Sequence, residues 1–252
     1  MDNYKVCFII ANKYVKNNVS FIDYYVSNIQ KFYKDSLIII VDNNSENIED
    51  ILERLKPYLN NNLIFLINDI ECKYELGGYK VGINYILNNG LLNNYDYYIF
   101  TQDTYVLTNK YDFNELLINK TMACPIKGYI KDTHNREINS FNTPICQYIL
   151  KRIKLDNSID KLRLCWANSF VLDKSKIEDF NLLASDIIIT NKISACECER
   201  FFGAILFVLN NNVNTALEDM YTTEEIHPHL WNIDIPNITT INYFTKRLSN
   251  KY

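Results

Sequence analysis

The sequence reads Tyr95-Asp96-Tyr97-Tyr98-Ile99-Phe100-Thr101-Gln102-Asp103-Thr104-Tyr105-Val106-Leu107 in the stretch that decides the fold. Its aromatic and β-branched residues from 97 to 101 have the length and composition of a buried strand, which ends in a short polar group. In parallel α/β sheets, ligands gather at the carboxyl ends of strands. The pattern therefore predicts that a strand delivers Asp103 to a ligand-binding edge. A turn aspartate bonded to its own backbone fits the same pattern.

Upstream of this stretch, strand and helix patterns alternate. Continuous apolar runs predict buried strands at residues 6–11, 37–41 and 63–67. Apolar residues at helical spacing predict helices over 19–34 and from Ser45 or Asn47 to Leu59. Gly77 and Gly78 predict a loop that runs into a third helix, closed by Asn88-Asn89-Gly90. We therefore expect the α/β class, with a Rossmann-like, mostly parallel central sheet flanked by helices.

Beyond residue 110 the pattern is less regular, and we expect the 252 residues to form a single domain. Residues 116–125 fit either a helix or a strand, and 127–145 predict a long loop on the active face. A strand at 164–172 and a short helix at 175–180 follow. A helix from Cys196 to Leu209 is predicted, with acidic residues in its first turn where the helix dipole favours them.

Composition narrows the class of function. A net charge of -4 argues against a nucleic-acid-binding surface, because such surfaces carry clustered Lys and Arg. The seven cysteines are an odd number in apolar surroundings, which indicates reduced thiols in a cytoplasmic protein. No apolar run reaches the roughly 20 residues of a membrane span, and the start of the chain has no leader pattern. We expect a soluble, untargeted protein of unknown oligomeric state.

Four passages together resemble the family 2-like glycosyltransferases of GT-A fold. Residues 6–11 are similar to the family's first strand, and Val41-Asp42-Asn43-Asn44-Ser45 is similar to its second. Residues 77–84 resemble the glycine-containing helix start before the family's metal motif, and residues 96–104 lie where that motif is expected. The resemblance implies one GT-A-like domain, with a nucleotide-binding half at about 1–110 and an acceptor-binding, catalytic half at about 111–252.

The resemblance also implies an activity and the residues that carry it. A sugar would move from a nucleotide-sugar donor, UDP-linked by analogy, to a hydroxyl of a glycan, lipid or protein acceptor, with inversion. Trp166 would stack on the acceptor sugar, although a tryptophan within a strand also fits a core position. The expected donor-binding residues are Ala11, Asn12, Asp42, Asn44, Gly78, Lys80, Gln102 and Asp103.

A divalent metal, Mn²⁺ or Mg²⁺, would balance the charge of the donor diphosphate. Asp103 would be its carboxylate ligand, but Thr104 stands where the family has a second aspartate. Three alternatives follow: a weakly held metal, a metal completed by His227 or His229, or a metal-free or inactive site. A zinc site built from Cys196 and Cys198 is disfavoured, because their spacing on a helix does not suit one.

Inversion requires a general base for the acceptor hydroxyl. By resemblance this base is Glu197 or Glu199; the two point to different sides of a helix, so at most one faces the site. Both also fit a solvated helix face. The second hypothesis is a degenerate member that binds nucleotide or glycan without turnover. A sugar nucleotidyltransferase is disfavoured, because the first strand is followed by Asn12-Lys13-Tyr14-Val15 and not by a basic, glycine-rich loop.

Overall fold

The computed structural model describes residues 4–13, 21–107, 110, 112–113, 144–152, 165 and 168–210, together with the backbone at 221–222 and 244–246. Eight strands lie in these residues: β1 (Val6–Asn12), β2 (Leu37–Asp42), β3 (Leu63–Ile67), β4 (Tyr97–Gln102), β5 (Tyr105–Leu107), β6 (Phe170–Asp173), β7 (Tyr221–Thr222) and β8 (Phe244–Lys246). The central sheet has the order β3-β2-β1-β4-β6. Its first four strands are parallel, and β6 runs antiparallel to β4. A smaller sheet has the order β5-β8-β7.

The helices of the described residues are α1 (Ile22–Phe32), α2 (Ile48–Leu55), α3 (Tyr74–Asn88), α4 (Pro144–Arg152), α5 (Ile177–Ala184) and α6 (Lys192–Leu209). From β1 to β4 the chain alternates strand and helix. The predicted α/β class, with a mostly parallel sheet flanked by helices, is confirmed. The first four predicted strands agree with the structure to within one residue at each end. Within the described part of the chain, no helix has the length and apolarity needed to cross a bilayer.

Both faces of the central sheet are buried, which explains why its strands read as continuous apolar runs. Alternate residues of β1 point to opposite faces. Cys7, Ile9 and Ala11 join the core cluster that includes the inner faces of α3 and α6. Phe8 and Ile10 join the cluster that packs against α1 on the other face.

Helix α3 begins earlier than predicted, because its glycines are a packing requirement and not a loop. A Cβ on Gly77 would lie 2.1 Å from the carbonyl oxygen of Cys72, and one on Gly82 would lie 2.6 Å from Cγ2 of Ile9. A Cβ on Gly78 would lie 3.1 Å from that of Ala11. The predicted loop at Gly77 and Gly78 is therefore wrong, because both lie inside α3. The missing side chain lets the helix approach β1 at Gly78 and the Cys72 carbonyl at Gly77. Gly90, with φ of 65°, follows the helix as predicted.

Three other predicted boundaries differ from the structure. Helix α6 begins at Lys192, because the Asn191 side chain accepts a hydrogen bond from the backbone N–H of Ser194 at 3.0 Å and caps it. The acidic pair of α6 is therefore not in its first turn. Of the strand predicted at 164–172, the structure has β6 at Phe170–Asp173, and the described residues 165, 168 and 169 are not in a strand. Helix α4 occupies the end of the predicted 127–145 loop, because Pro144 fits the first turn of a helix; residues 114–143 lie outside the described part.

Candidate functional site

The strand order predicts a ligand-binding crevice at the carboxyl edge of the central sheet. After β1, the chain adds β2 and β3 on one side, and then crosses over to add β4 on the other. The point between β1 and β4 is therefore a topological switch point, where open α/β sheets bind ligands outside the carboxyl ends of their strands. Asn12 and Lys13 end β1 here, and Gln102 and Asp103 end β4.

Asp103 is fixed at this switch point. Its Oδ2 accepts a hydrogen bond from the backbone N–H of Lys13 at 3.2 Å, and its own N–H donates to the carbonyl of Ala11 at 3.0 Å. The residue is 7% exposed. Strand β4 thus delivers Asp103 to the carboxyl edge of the sheet, where Ala11 holds its backbone and Lys13 holds its carboxylate. Gln102 lies beside it, where its Oε1 accepts from the Thr104 hydroxyl at 3.2 Å.

Asp42, at the end of β2, organises its own neighbourhood. Its Oδ1 accepts from Nδ2 of Asn12 at 2.7 Å, and its Oδ2 accepts from the backbone N–H of Ser45 at 2.8 Å. The Ser45 hydroxyl also donates to Oδ1. The residue is 1% exposed, so most of its hydrogen-bonding capacity is used inside the protein. Asp42 therefore orients Asn12 and shapes the turn after β2; its predicted contact with a nucleotide stays a prediction.

Asn43 and Asn68 connect the ends of β2 and β3. Nδ2 of Asn68 donates to Oδ1 of Asn43 at 2.6 Å and to the carbonyl of Cys72 at 2.9 Å. The backbone N–H of Asn43 donates to the carbonyl of Asn12 at 2.8 Å, so the link continues to β1. The sequence predictions did not include these two residues. Their position directly after predicted strands was the available signal.

Lys13 adds a positive charge to the rim of the crevice. Its Nζ donates to the carbonyls of Asn43 and Asn44 at 3.2 Å each, and the residue is exposed. Asn44 is exposed and has φ of 63°, a left-handed conformation that asparagine tolerates. Gly78 lies beneath this rim, where it lets α3 approach Ala11 and Asn43. Lys13 was not among the predicted site residues, although it directly follows the first strand.

Lys80 faces another part of the molecule. Its Nζ donates to the carbonyl of Ser185 at 2.9 Å and to that of Ile187 at 2.6 Å. Burial lowers the pKa of this ammonium below its ordinary value. The side chain therefore fastens α3 to the connection between α5 and α6, and its charge is engaged there and not by the polar group around Asp103.

The predicted catalytic and acceptor residues are only partly described. Glu197 lies in the second turn of α6 and is half-buried. The side chain of Glu199 and the residues Trp166, His227 and His229 lie outside the described residues. Their predicted roles stay predictions.

The described residues fit a metal that arrives with a diphosphate better than a cage built by the protein. Among them, no three His, Cys, Asp or Glu residues are grouped so as to hold a metal ion. Asp103 supplies one carboxylate at the switch point. Mg²⁺ and ions like it are commonly held by one or two carboxylates together with phosphate oxygens of the ligand. One protein carboxylate is compatible with that mode.

An open polar groove of about 820 Å³ lies at the opposite, amino-terminal edge of the sheet. Its lining includes Lys5, Asp35 and Asp96, which precede β1, β2 and β4. The Asp96 carboxylate there accepts from the backbone N–H of Lys5 at 2.9 Å and from Nζ of Lys174 at 3.2 Å, so it serves to join strand ends. Because ligands of parallel sheets bind at the carboxyl edge, we assign the candidate site to the crevice around Asp103.

Comparison of the sequence with protein-family models and with curated proteins gives no match.

Proposed function

We propose that the protein is a glycosyltransferase that moves a sugar from a nucleotide-sugar donor to an acceptor hydroxyl. The observation that carries the proposal is the Asp103 carboxylate held at the switch point of a mostly parallel sheet, across from the end of β1. Switch points bind nucleotides in open α/β sheets, and a carboxylate there suits a metal-bound diphosphate. The sequence resemblance to family 2-like glycosyltransferases supports the transfer of a sugar.

Charge supports the proposed placement of the diphosphate between β1 and β4. Asp103 brings a carboxylate to this point, and Lys13, which directly follows β1, places its ammonium at the neighbouring end of β2. Phosphate oxygens accept from the ammonium directly and reach the carboxylate through a divalent cation. On the β2 and β3 side, where the nucleoside would lie, the buried Asn43 and Asn68 side chains bond each other and shape the ends of the strands. Asp42 acts by positioning Asn12 and the turn at Ser45.

Glu197 is our proposed general base, with Glu199 as the alternative. A glutamate carboxylate takes the proton of the acceptor hydroxyl as its oxygen attacks the anomeric carbon from the face opposite the diphosphate. The bond to the diphosphate breaks, and the configuration at that carbon inverts. Mn²⁺ or Mg²⁺, when bound, supplies charge stabilisation to the departing diphosphate. Lys13 would interact with the same developing charge through its ammonium.

A second candidate function is binding of a nucleotide or glycan without turnover. The observation that favours it is Thr104 beside Asp103, at the position where the resembled family has a second aspartate. The two functions share a site but differ in chemistry. We expect a cytoplasmic protein in either case, as the composition predicts.

Release of nucleoside diphosphate separates the two functions. The wild-type protein would be incubated with UDP- and GDP-linked sugars and Mn²⁺, with and without mono- and oligosaccharide acceptors. A transferase releases nucleoside diphosphate faster with an acceptor, and Glu197→Gln reduces that rate by about 100-fold or more while binding is retained. Binding without release would favour the second function. If the protein neither binds a nucleotide sugar nor releases nucleoside diphosphate, both functions are overturned.

A further inference from the structure

Three buried asparagine amide oxygens have no hydrogen-bond partner in the described part of the chain. They are the Oδ1 atoms of Asn12, Asn68 and Asn168. Buried side-chain acceptors are normally satisfied, so an unpartnered one in a native fold requires an explanation. Asn12 ends β1, Asn68 follows β3, and Asn168 precedes β6. All three therefore lie at the carboxyl edge of the sheet, because β6 runs in the opposite direction to its neighbour.

The orientation of each amide is set by what its nitrogen contacts. Nδ2 of Asn12 donates to the Asp42 carboxylate at 2.7 Å. Nδ2 of Asn168 donates to the carbonyl of Ala195 at 3.5 Å. Because a nitrogen donor is needed at both of these contacts, the oxygen of each amide points elsewhere. The carboxyl edge therefore presents acceptors, and the group that satisfies them must be a donor.

Asn168 is the most constrained of the three. It has φ of 55°, its carbonyl accepts from the Tyr79 hydroxyl at 2.7 Å, and its N–H donates to the carbonyl of Cys165 at 3.0 Å. It is 4% exposed. Asparagine tolerates the left-handed region, so the feature that requires an explanation is the buried oxygen without a partner, which is typical of a functional position.

The strand register places Asn168 next to the candidate site. Phe170, the first residue of β6, pairs with Phe100, two residues before the end of β4, so Asn168 lies just beyond this pairing at the same edge of the sheet as Asp103. Asn12 ends β1, on the other side of β4. Strands β1 and β6 are two strand spacings apart, about 10 Å, and Asp103 follows the strand between them. A ligand whose diphosphate lies at Asp103 and whose nucleoside lies toward β2 and β3 directs its remaining part toward β6.

We propose that the Asn168 amide oxygen accepts a hydrogen bond from a hydroxyl group of the sugar in a bound nucleotide sugar; this rests on the proposed function. The diphosphate cannot be its partner, because phosphate oxygens at neutral pH are acceptors, whereas sugar hydroxyls are donors. Contact requires a local displacement at this edge, since Asn168 is buried. The contact with Ala195, two residues before Glu197, places the sugar beside the helix that carries the proposed base.

The test measures dissociation constants by calorimetry in the presence of Mn²⁺. The quantity compared is the constant for UDP divided by the constant for UDP-glucose or UDP-N-acetylglucosamine. GDP and GDP-mannose form a second pair, which is compared in the same way. The variants are Asn168→Gly, which suits φ of 55°, and Asn168→Ser, which removes the amide at a different backbone cost. Asn89→Gly, at the end of α3, is the control. We expect the ratio to fall about fivefold in both variants, with the constant for UDP unchanged, and to stay at the wild-type value in the control.

The outcomes separate the two proposals. An unchanged ratio in a variant that folds, or an equal weakening of UDP and UDP-sugar, overturns the role of Asn168 and leaves the proposed function standing. If one Asn168 variant does not fold, the other decides the result. If the wild-type protein binds no nucleotide and no nucleotide sugar of the panel, both the role of Asn168 and the proposed function are overturned.

Discussion

The backbone N–H of Lys13 donates to the side chain of Asp103 at 3.2 Å, and this contact joins the two strand ends that flank the switch point. It holds a carboxylate where the chain order of the sheet reverses. The Lys13 ammonium bonds the carbonyls that follow β2, so the same residue connects three strand ends. The crevice is therefore built by the ends of β1, β2 and β4, and contacts within the protein hold its charged groups in place.

Replacing Asp42 tests its role as an internal organiser. The Asp42 carboxylate accepts hydrogen bonds from Asn12 and Ser45. In Asp42→Asn, the amide nitrogen would face one of these donors and could not accept its hydrogen bond. A buried donor without an acceptor costs about 1–3 kcal/mol, so we expect the free energy of unfolding to fall by about 2 kcal/mol. Urea denaturation measures the change. Asp35→Asn, an exposed aspartate at the opposite edge, is the matched control and should change it by less than about 0.5 kcal/mol. Equal effects of the two substitutions would contradict the assignment.

Replacing Gly77 tests whether the glycines of α3 serve close packing. In Gly77→Ala, the added Cβ would lie 2.1 Å from the carbonyl oxygen of Cys72, which is backbone and cannot move easily. We expect a loss of more than about 3 kcal/mol, despite the better helix propensity of alanine. Gly90→Ala is the comparison, because nothing lies within 4 Å of its Cβ and only its φ of 65° is unfavourable; about 1 kcal/mol is expected. Thermal or urea unfolding that ranked Gly90→Ala as the more damaging would contradict this account.

Lys80 should make stability depend on pH in the alkaline range. Burial lowers the pKa of its ammonium in the folded protein, whereas in the unfolded chain the pKa is near 10.4. Between these two values the unfolded chain binds more protons than the folded protein, so the contribution of Lys80 to stability rises with pH. Lys80→Met removes this titration and leaves the carbonyls of Ser185 and Ile187 without their donor.

The measurement is the free energy of unfolding of the wild type minus that of Lys80→Met, by urea denaturation at pH 8 and at pH 10. We expect the wild type to exceed Lys80→Met in free energy of unfolding by more at pH 10 than at pH 8. At pH 10 the buried lysine is less often charged, so the cost of burying its charge is relieved, while the neutral amine still donates to the carbonyls of Ser185 and Ile187. Other titrating groups are common to both proteins and cancel. A difference that is constant or smaller at pH 10 would show that the ammonium is not disfavoured by burial.

The parallel half of the fold could be predicted from the sequence because β1, β2 and β4 are buried on both faces and the edge strand β3 is also apolar throughout. Burial on both faces produces uninterrupted apolar runs such as Leu37 to Val41. The position of Asp103 at a strand end followed from the same pattern. Local sequence and tertiary structure agree in this part of the chain.

The start of α3 could not be predicted because the reason for its glycines is tertiary. Intrinsic propensity disfavours glycine in a helix, whereas contact with the Cys72 carbonyl leaves no room for a side chain. Because the start of α3 was missed, the direction of the Lys80 side chain could not be predicted either. Once Gly78 and Lys80 lie on one helix, they are two residues apart and point about 200° apart; Gly78 faces Ala11, so Lys80 faces the connection after α5.

The beginning of α6 was missed for a different reason. In its first turn Ala195 is buried but Ile193 is 75% exposed, so the apolar periodicity becomes clear only later in the helix. Asn191 was the available signal, since asparagine is a favoured N-cap whose side chain accepts a hydrogen bond from a backbone N–H of the first turn. The three unpartnered asparagine oxygens had no sequence signal at all, because their environment depends on strands that are distant in the chain.

The central claim is that the crevice at Asp103 binds a nucleoside diphosphate, and calorimetric titration of UDP and GDP with Mn²⁺ tests it most directly. Wild type, Asp103→Ala and the control Asp35→Asn would be compared, with urea denaturation to confirm that each is folded. We predict binding to wild type and control, and an affinity at least tenfold weaker in Asp103→Ala, which corresponds to about 1.4 kcal/mol or more. Wild-type affinity in a folded Asp103→Ala protein would contradict the site, and with it the proposed function.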